Sequence, residues 1–172
     1  MTLLQTLLNW GPVDQVRRNH ALEHATLHIL AKKHTNQFLG GHSDARGIRI
    51  IGNISTEEIQ LALDEALARL QSGEKTLAYH PNCGTNYSTA GILAGTAAWL
   101  GTLGSGKSVK EKANRLPLVI MLVTSMLIFS RPLGPFLQKY ITTKSDPGTL
   151  KVFEIQRHDF ANFVFHRIMT ID

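Results

Sequence analysis

Two uncharged stretches decide how this chain is organised: STAGILAGTAAWLGTLG at residues 88–104 and LPLVIMLVTSMLIFS at residues 116–130. No Asp, Glu, Lys or Arg occurs from Thr76 to Gly106, and the loop from Lys107 to Arg115 holds four basic residues and one acidic one. Two consecutive apolar segments around a basic loop read as a helical hairpin in a membrane. The alternative, a buried hairpin in a soluble protein, asks a chain of 172 residues to house both segments in one small core. At ~1.5 Å per residue each stretch is short for a ~30 Å hydrocarbon layer. Snorkelling of Arg131 and the apolar segment 133–137 extend the second stretch. Gly91 and Gly95 form a G-x-x-x-G pair of the kind that lets helix backbones approach closely in lipid.

Outward from the hairpin the chain changes character. Residues 1–87 carry eight Lys/Arg and eight Asp/Glu, so the net charge of +5 comes from the basic loop and the C-terminal part. No basic face with aromatic platforms stands out, so nucleic acid is not an expected partner. Cys83 is the single cysteine, so no intrachain disulfide can form. Residues 1–10 are apolar without a charged leader or cleavage pattern, and read as an amphipathic turn on the domain or on lipid.

A helix is predicted from Asp14 to about Lys33, with Lys32, Lys33 and His34 suited to its C-terminus. A glycine-rich loop follows through Gly40, Gly41 and Gly47. Ile48–Ile51 reads as a strand. Ser55 and Glu58 form a capping box for a helix whose stripe is Ile59, Leu63, Ala66, Leu67 and Leu70, ended by Gly73. Thr76–His80 reads as a second strand stopped by Pro81. Residues 149–157 and 161–169 alternate as two further strands. The expectation is an α+β fold: a small mixed α/β domain carrying a two-helix transmembrane hairpin. It divides into an αβαβ part at 1–87, the hairpin at 88–131, and an interfacial segment with two returning strands at 132–172.

The chemistry sits in the first helix, in the string HALEHATLH at residues 20–28. Residues i and i+4 share a helix face, so His20 and His24 can point at one ion. The order H-x-x-E-H is the inverzincin arrangement, in which two histidines bind zinc and the glutamate is the general base. That makes His20 and His24 candidate metal ligands and Glu23 the candidate catalytic base. His28 continues the row but drifts off it and lies a turn further on. A catalytic zinc takes three protein ligands, so a third must come from elsewhere. His80 or Cys83, in the turn His80-Pro-Asn-Cys83, is best placed. His158 and His166 fall on the C-terminal strands, and His34 and His42 in loops. The pair Arg17-Arg18 could meet lipid phosphates or form an ordinary solvated face.

Residues 101–108, GTLGSGKS, match the P-loop pattern G-x-x-x-x-G-K-[ST]. A P-loop needs a buried strand before it and a magnesium-binding Asp on a later strand. Neither is legible here, and a glycine-rich turn between two membrane helices explains the string better.

The strings at 19–26 (NHALEHAT), 78–86 (AYHPNCGTN) and 131–134 (RPLG) resemble those of a domain-of-unknown-function family of small membrane proteins, seen mainly in photosynthetic bacteria. The resemblance spans roughly residues 13–170. It implies an integral membrane protein of a bacterial inner or thylakoid-type membrane, and carries over no catalytic residue. Against the inverzincin peptidases only His20, Glu23 and His24 match. Their third ligand is a downstream glutamate, for which Glu57, Glu58 and Glu65 are the candidates here.

The expected function is a membrane-associated hydrolase using zinc or another divalent metal, with the lipid bilayer and a protein or peptide substrate as partners. The alternative is a non-enzymatic metal- or pigment-binding assembly protein, in which the histidines hold a metal or a pigment's central magnesium.

Overall fold

The computed structural model describes residues 2–106, 108–160 and 163–172. The chain divides into two compact units, Met1–His80 with Lys139–Asp172, and Pro81–Gln138.

The first unit is a mixed α+β domain. It contains helices α1 (Leu3–Leu8), α2 (Gly11–Lys33) and α3 (Thr56–Gln71), with strands β1 (Gly40–Asp44), β2 (Gly47–Ile51), β3 (Lys151–Phe160) and β4 (Phe163–Ile171). The strands form one antiparallel sheet in the order β1-β2-β4-β3, so the C-terminal hairpin pairs with β2. Ile48 and Ile50 of β2 and Ile168 of β4 are fully buried, and with Leu22, Ala25 and Leu30 of α2 and Ile59, Leu63 and Ala66 of α3 they make the core. The period-2 strand pattern and the period-3.6 helix stripes meet on that one face. The Ser55–Glu58 capping box is formed and starts α3 as its sequence requires.

Two expectations are corrected here. The glycine-rich loop contains a strand, β1: Gly41 lies so close to α2 that a Cβ there would sit 2.5 Å from Glu23 Oε1. The missing side chains at Gly40 and Gly41 hide the strand from pattern reading, and the one at Gly41 is what admits the helix. The proposed strand at Thr76–His80 is instead a 3₁₀ turn at Lys75–Ala78. Leu77 and Ala78 are both buried there, so consecutive residues face inward rather than alternate ones. Of the two C-terminal strands, the expected start at residues 161 and 162 lies outside the described residues.

The second unit pairs α4 (Gly84–Thr102) with α6 (Leu116–Leu137), joined through the short α5 (Val109–Ala113). Among the described helices, one is long and apolar enough to cross a membrane: α6 with its continuation to Thr142, 27 residues. The expected pair of spans is therefore reduced to one by length and composition, because α4 is diluted by Gly, Ser, Thr and Asn. The helix passes through Arg131, Pro132 and Pro135 rather than stopping at residue 130, and its 22 α-helical residues reach about 33 Å. Leu116, Ile120, Met121, Ile128, Phe129 and Phe136 are all more than half exposed, unlike the face of a soluble core helix.

Gly91 and Gly95 have open space where a Cβ would be, so the G-x-x-x-G pair does not make the α4–α6 contact. The close approaches are at Gly101, whose Cβ would lie 2.9 Å from Val119 Cγ2, and at Gly134, 2.5 Å from Asn86 Oδ1. Gln138 donates to Asn86 Oδ1 at 2.7 Å, and Asn86 donates to the Pro81 carbonyl at 2.7 Å.

A candidate metal centre on the histidine helix

Helix α2 has Pro12 at its start, Asp14 in the first turn and Lys32 and Lys33 in the last, an arrangement that suits the helix dipole. Its middle is unusual in burying Asn19, Glu23, His24 and Thr26 alongside Leu22 and Ala25. His20 and His24 stack one turn apart with ring centroids 4.3 Å from each other. His80, at the end of the first unit's N-terminal section, lies 5.7 Å from His24 and 4.7 Å from His28. The structure thus brings His20, His24, His28 and His80 into one chain of neighbouring rings.

Main-chain carbonyls fix these rings. His24 Nδ1 donates to the Ala78 carbonyl at 2.7 Å, and His20 Nδ1 donates to the Thr142 carbonyl at 3.0 Å. A carbonyl oxygen only accepts, so each Nδ1 carries a proton, and in the neutral tautomer the lone pair is on Nε2. Metal-ligating histidines use this pattern, donating through one nitrogen so that the other is held in the ligating form. His28 is reversed: its Nε2 donates to the Tyr79 carbonyl at 2.8 Å. It braces the segment that carries His80. Ala78 and Tyr79 have carbonyls to offer because a 3₁₀ turn ends there and Pro81 follows; Thr142 closes the π-helical turn Gln138–Thr142 after α6. Burial, followed by the nearby His28, holds the His80 imidazole below the ordinary histidine range and so favours its neutral form.

The Thr142 segment is itself clamped. Arg17 donates from Nε to the Ile141 carbonyl at 2.7 Å and from Nη2 to the Tyr140 and Thr143 carbonyls at 3.3 and 3.2 Å. Its Nη1 reaches the Leu8 carbonyl at 3.3 Å. Asp14 pairs with Lys144 at 2.7 Å and with Arg18 at 2.8 Å, and Arg18 also meets Asp172. Arg17 and Arg18 are therefore structural anchors and not a solvated pair. Sequence reading missed Arg17 and Thr142 as contributors, because a carbonyl's role leaves no mark on residue type.

Glu23 is buried, and its carboxyl group lies over Gly41 of β1 in the seam between helix and sheet. Cys83 is the buried N-cap of α4 in the second unit, its Sγ accepting from Thr85 N–H at 3.4 Å. It follows His80 by three residues. Of the downstream glutamates, Glu58 caps α3 and meets His34 at 3.3 Å, and Glu65 pairs with Arg69 at 3.0 Å.

The remaining histidines are placed elsewhere. His166 is buried against Thr56 at 3.1 Å, His158 stacks on Phe165 at 4.8 Å, and His42 sits on β1 beside Arg49. Of the P-loop-like string, Gly101 and Thr102 end α4 and Ser108 caps α5, where Glu111 accepts from Ser108 N–H at 3.0 Å; Lys107 lies outside the described residues. A Cβ on Gly106 would collide with that same carboxylate. An acid fills the place a phosphate would need.

Residues 15–155 match the domain of unknown function DUF6391. An uncharacterised protein of Picosynechococcus sp. is 34% identical over 157 residues, covering 83% of this chain and 72% of the relative. No solved structure matches. The match over most of the chain, together with the relative's coverage, places this protein in the DUF6391 family.

Proposed function

We propose that this protein is a membrane-associated metal-dependent hydrolase acting on a protein or peptide at the bilayer. The observation that carries the reading is the pair of carbonyl-anchored rings, His20 and His24, whose Nδ1 atoms face main-chain carbonyls, an orientation in which Nε2 would be the ligating nitrogen. The donor set fits zinc or a similar divalent ion, which imidazole nitrogen binds at ~2.0–2.1 Å. His20 and His24 would hold it, with His80 or Cys83 completing the set. The neutral tendency of His80 supports its candidacy, and the three-residue spacing from His80 supports Cys83.

When bound, such an ion polarises a carbonyl or a water molecule at neutral pH. Glu23, between the two histidines in sequence, is the general base that takes the proton. His28 and the Ala78, Tyr79 and Thr142 carbonyls keep the rings in position. Helix α6, with α4 packed beside it, is the proposed membrane span, and its exposed Leu, Ile and Phe side chains support that placement.

A second reading, a non-enzymatic metal- or pigment-binding assembly protein, is favoured by one contact. The Glu23 carboxyl group lies against Gly41, in a helix–strand seam where it serves packing. Glu23→Gln separates the two. With full-length protein reconstituted in vesicles and a fluorogenic casein as probe, the hydrolase reading expects turnover to fall by about 10²-fold or more with metal content unchanged. Absence of hydrolysis by the metal-loaded wild type supports the assembly reading.

A further inference from the structure

We propose that Leu3, Leu4, Leu7 and Trp10 form an interfacial anchor that inserts into a lipid surface. This rests on reading α6 as a membrane span. Helix α1 buries none of its residues: Leu3, Leu4 and Leu7 are 80%, 53% and 56% exposed, and Trp10 beside it is 64% exposed. The spacing 3, 4, 7 puts the three leucines on one side of α1, and Trp10, whose N–H bonds the Leu7 carbonyl at 3.2 Å, follows just past its end. No Asp, Glu, Lys or Arg occurs among residues 1–13, so no charged side chain of this segment opposes burial of the patch in lipid.

Trp10 is the residue type that favours the boundary between hydrocarbon and headgroups. An unpartnered apolar face alone would not name its occupant. Arg17 does, because one guanidinium bonds the Leu8 carbonyl at the end of α1 and the Tyr140 and Ile141 carbonyls. Tyr140 and Ile141 belong to the final turn of the candidate span Leu116–Thr142. A single planar side chain therefore holds the end of α1 beside the place where the span leaves the bilayer. At that level the patch meets lipid.

The test uses the full-length protein in phosphatidylcholine–phosphatidylglycerol vesicles. Trp10 and Trp99 are the two tryptophans, so a Trp99→Phe variant reports Trp10 alone. Trp10 emission is expected to shift to the blue and to be quenched by lipids brominated near the headgroup. Leu4→Asp with Leu7→Asp in the same background should return it to water. An alkaline carbonate wash of the same vesicles reports independently on α6. Retention after the wash with Trp10 open to aqueous iodide and untouched by brominated lipid overturns the anchor alone. Release by the wash overturns the membrane reading, and the anchor falls with it. Quenching that survives the two Asp substitutions also contradicts the proposal.

Discussion

Replacing Arg17 by Met keeps the aliphatic stem and removes the guanidinium donors to the Tyr140, Ile141 and Thr143 carbonyls. The loss is asymmetric. The bond to Ile141 at 2.7 Å is short and charge-assisted, whereas the other three, at 3.2–3.3 Å, are readily replaced by water. One good charge-assisted bond contributes about 1.5–3 kcal/mol, so the expected loss of stability is about 2–3 kcal/mol and not four times that. The Thr142 carbonyl stays in the chain but is no longer fixed, and His20 loses a rigid acceptor for Nδ1. Disturbing such an outer partner costs ~10–100-fold in metal affinity, and the low end applies because the acceptor itself survives. Zinc affinity, measured by competition with a chromophoric chelator on full-length protein in detergent, should fall about tenfold, or about 1.4 kcal/mol. Unchanged affinity in a variant that shows the expected loss of stability would refute the link from Arg17 through Thr142 to His20.

Other outcomes follow from single contacts. Gly41→Ala forces Glu23 away from a position 2.5 Å from the new Cβ, and the strain should cost about 1–3 kcal/mol in a denaturant titration. Gly101→Val meets Val119 and should destabilise the α4–α6 pair by a similar ~1–3 kcal/mol, whereas Gly95→Val, which points into open space, should leave thermal unfolding unchanged. Burial first, and Arg157 next, hold the His166 imidazole below its ordinary value of 6.5. A depressed histidine is neutral in the fold while the unfolded chain takes up a proton, so stability falls as the pH drops below about 6.5. From pH 7.5 to 5.5 this group contributes a loss of at most about 1.4 kcal/mol, and His166→Leu should remove that part of the slope.

Most of the fold was legible where side chains carry the pattern. The cap and stripe of α3, the core residues of β2 and the alternation of β4 are properties of residue type and spacing, and they appear where expected, whereas β3 pairs with β4 but is mostly exposed. The misses occur where backbone geometry decides. Strand β1 carries two glycines and shows no alternation, so only its pairing with β2 reveals it. The turn at Lys75–Ala78 has β-prone residues, but tertiary burial of adjacent Leu77 and Ala78 selects a 3₁₀ turn. The G-x-x-x-G motif was visible, but which helix face meets a partner depends on α6, and the contact falls at Gly101.

The histidine row was legible as a shared helix face, and His80 as a neighbour from a distant segment. What could not be read is how the rings are held. Ala78, Tyr79 and Thr142 act through carbonyls that every residue possesses, and Arg17 through a clamp spanning 124 positions of sequence to Ile141.

Metal content of the purified full-length protein, set beside a His24→Ala variant, tests the central claim most directly. About one divalent ion per chain in the wild type and its loss from a folded variant is the predicted result. An equal metal content in both, or none in either after loading with zinc, would contradict it.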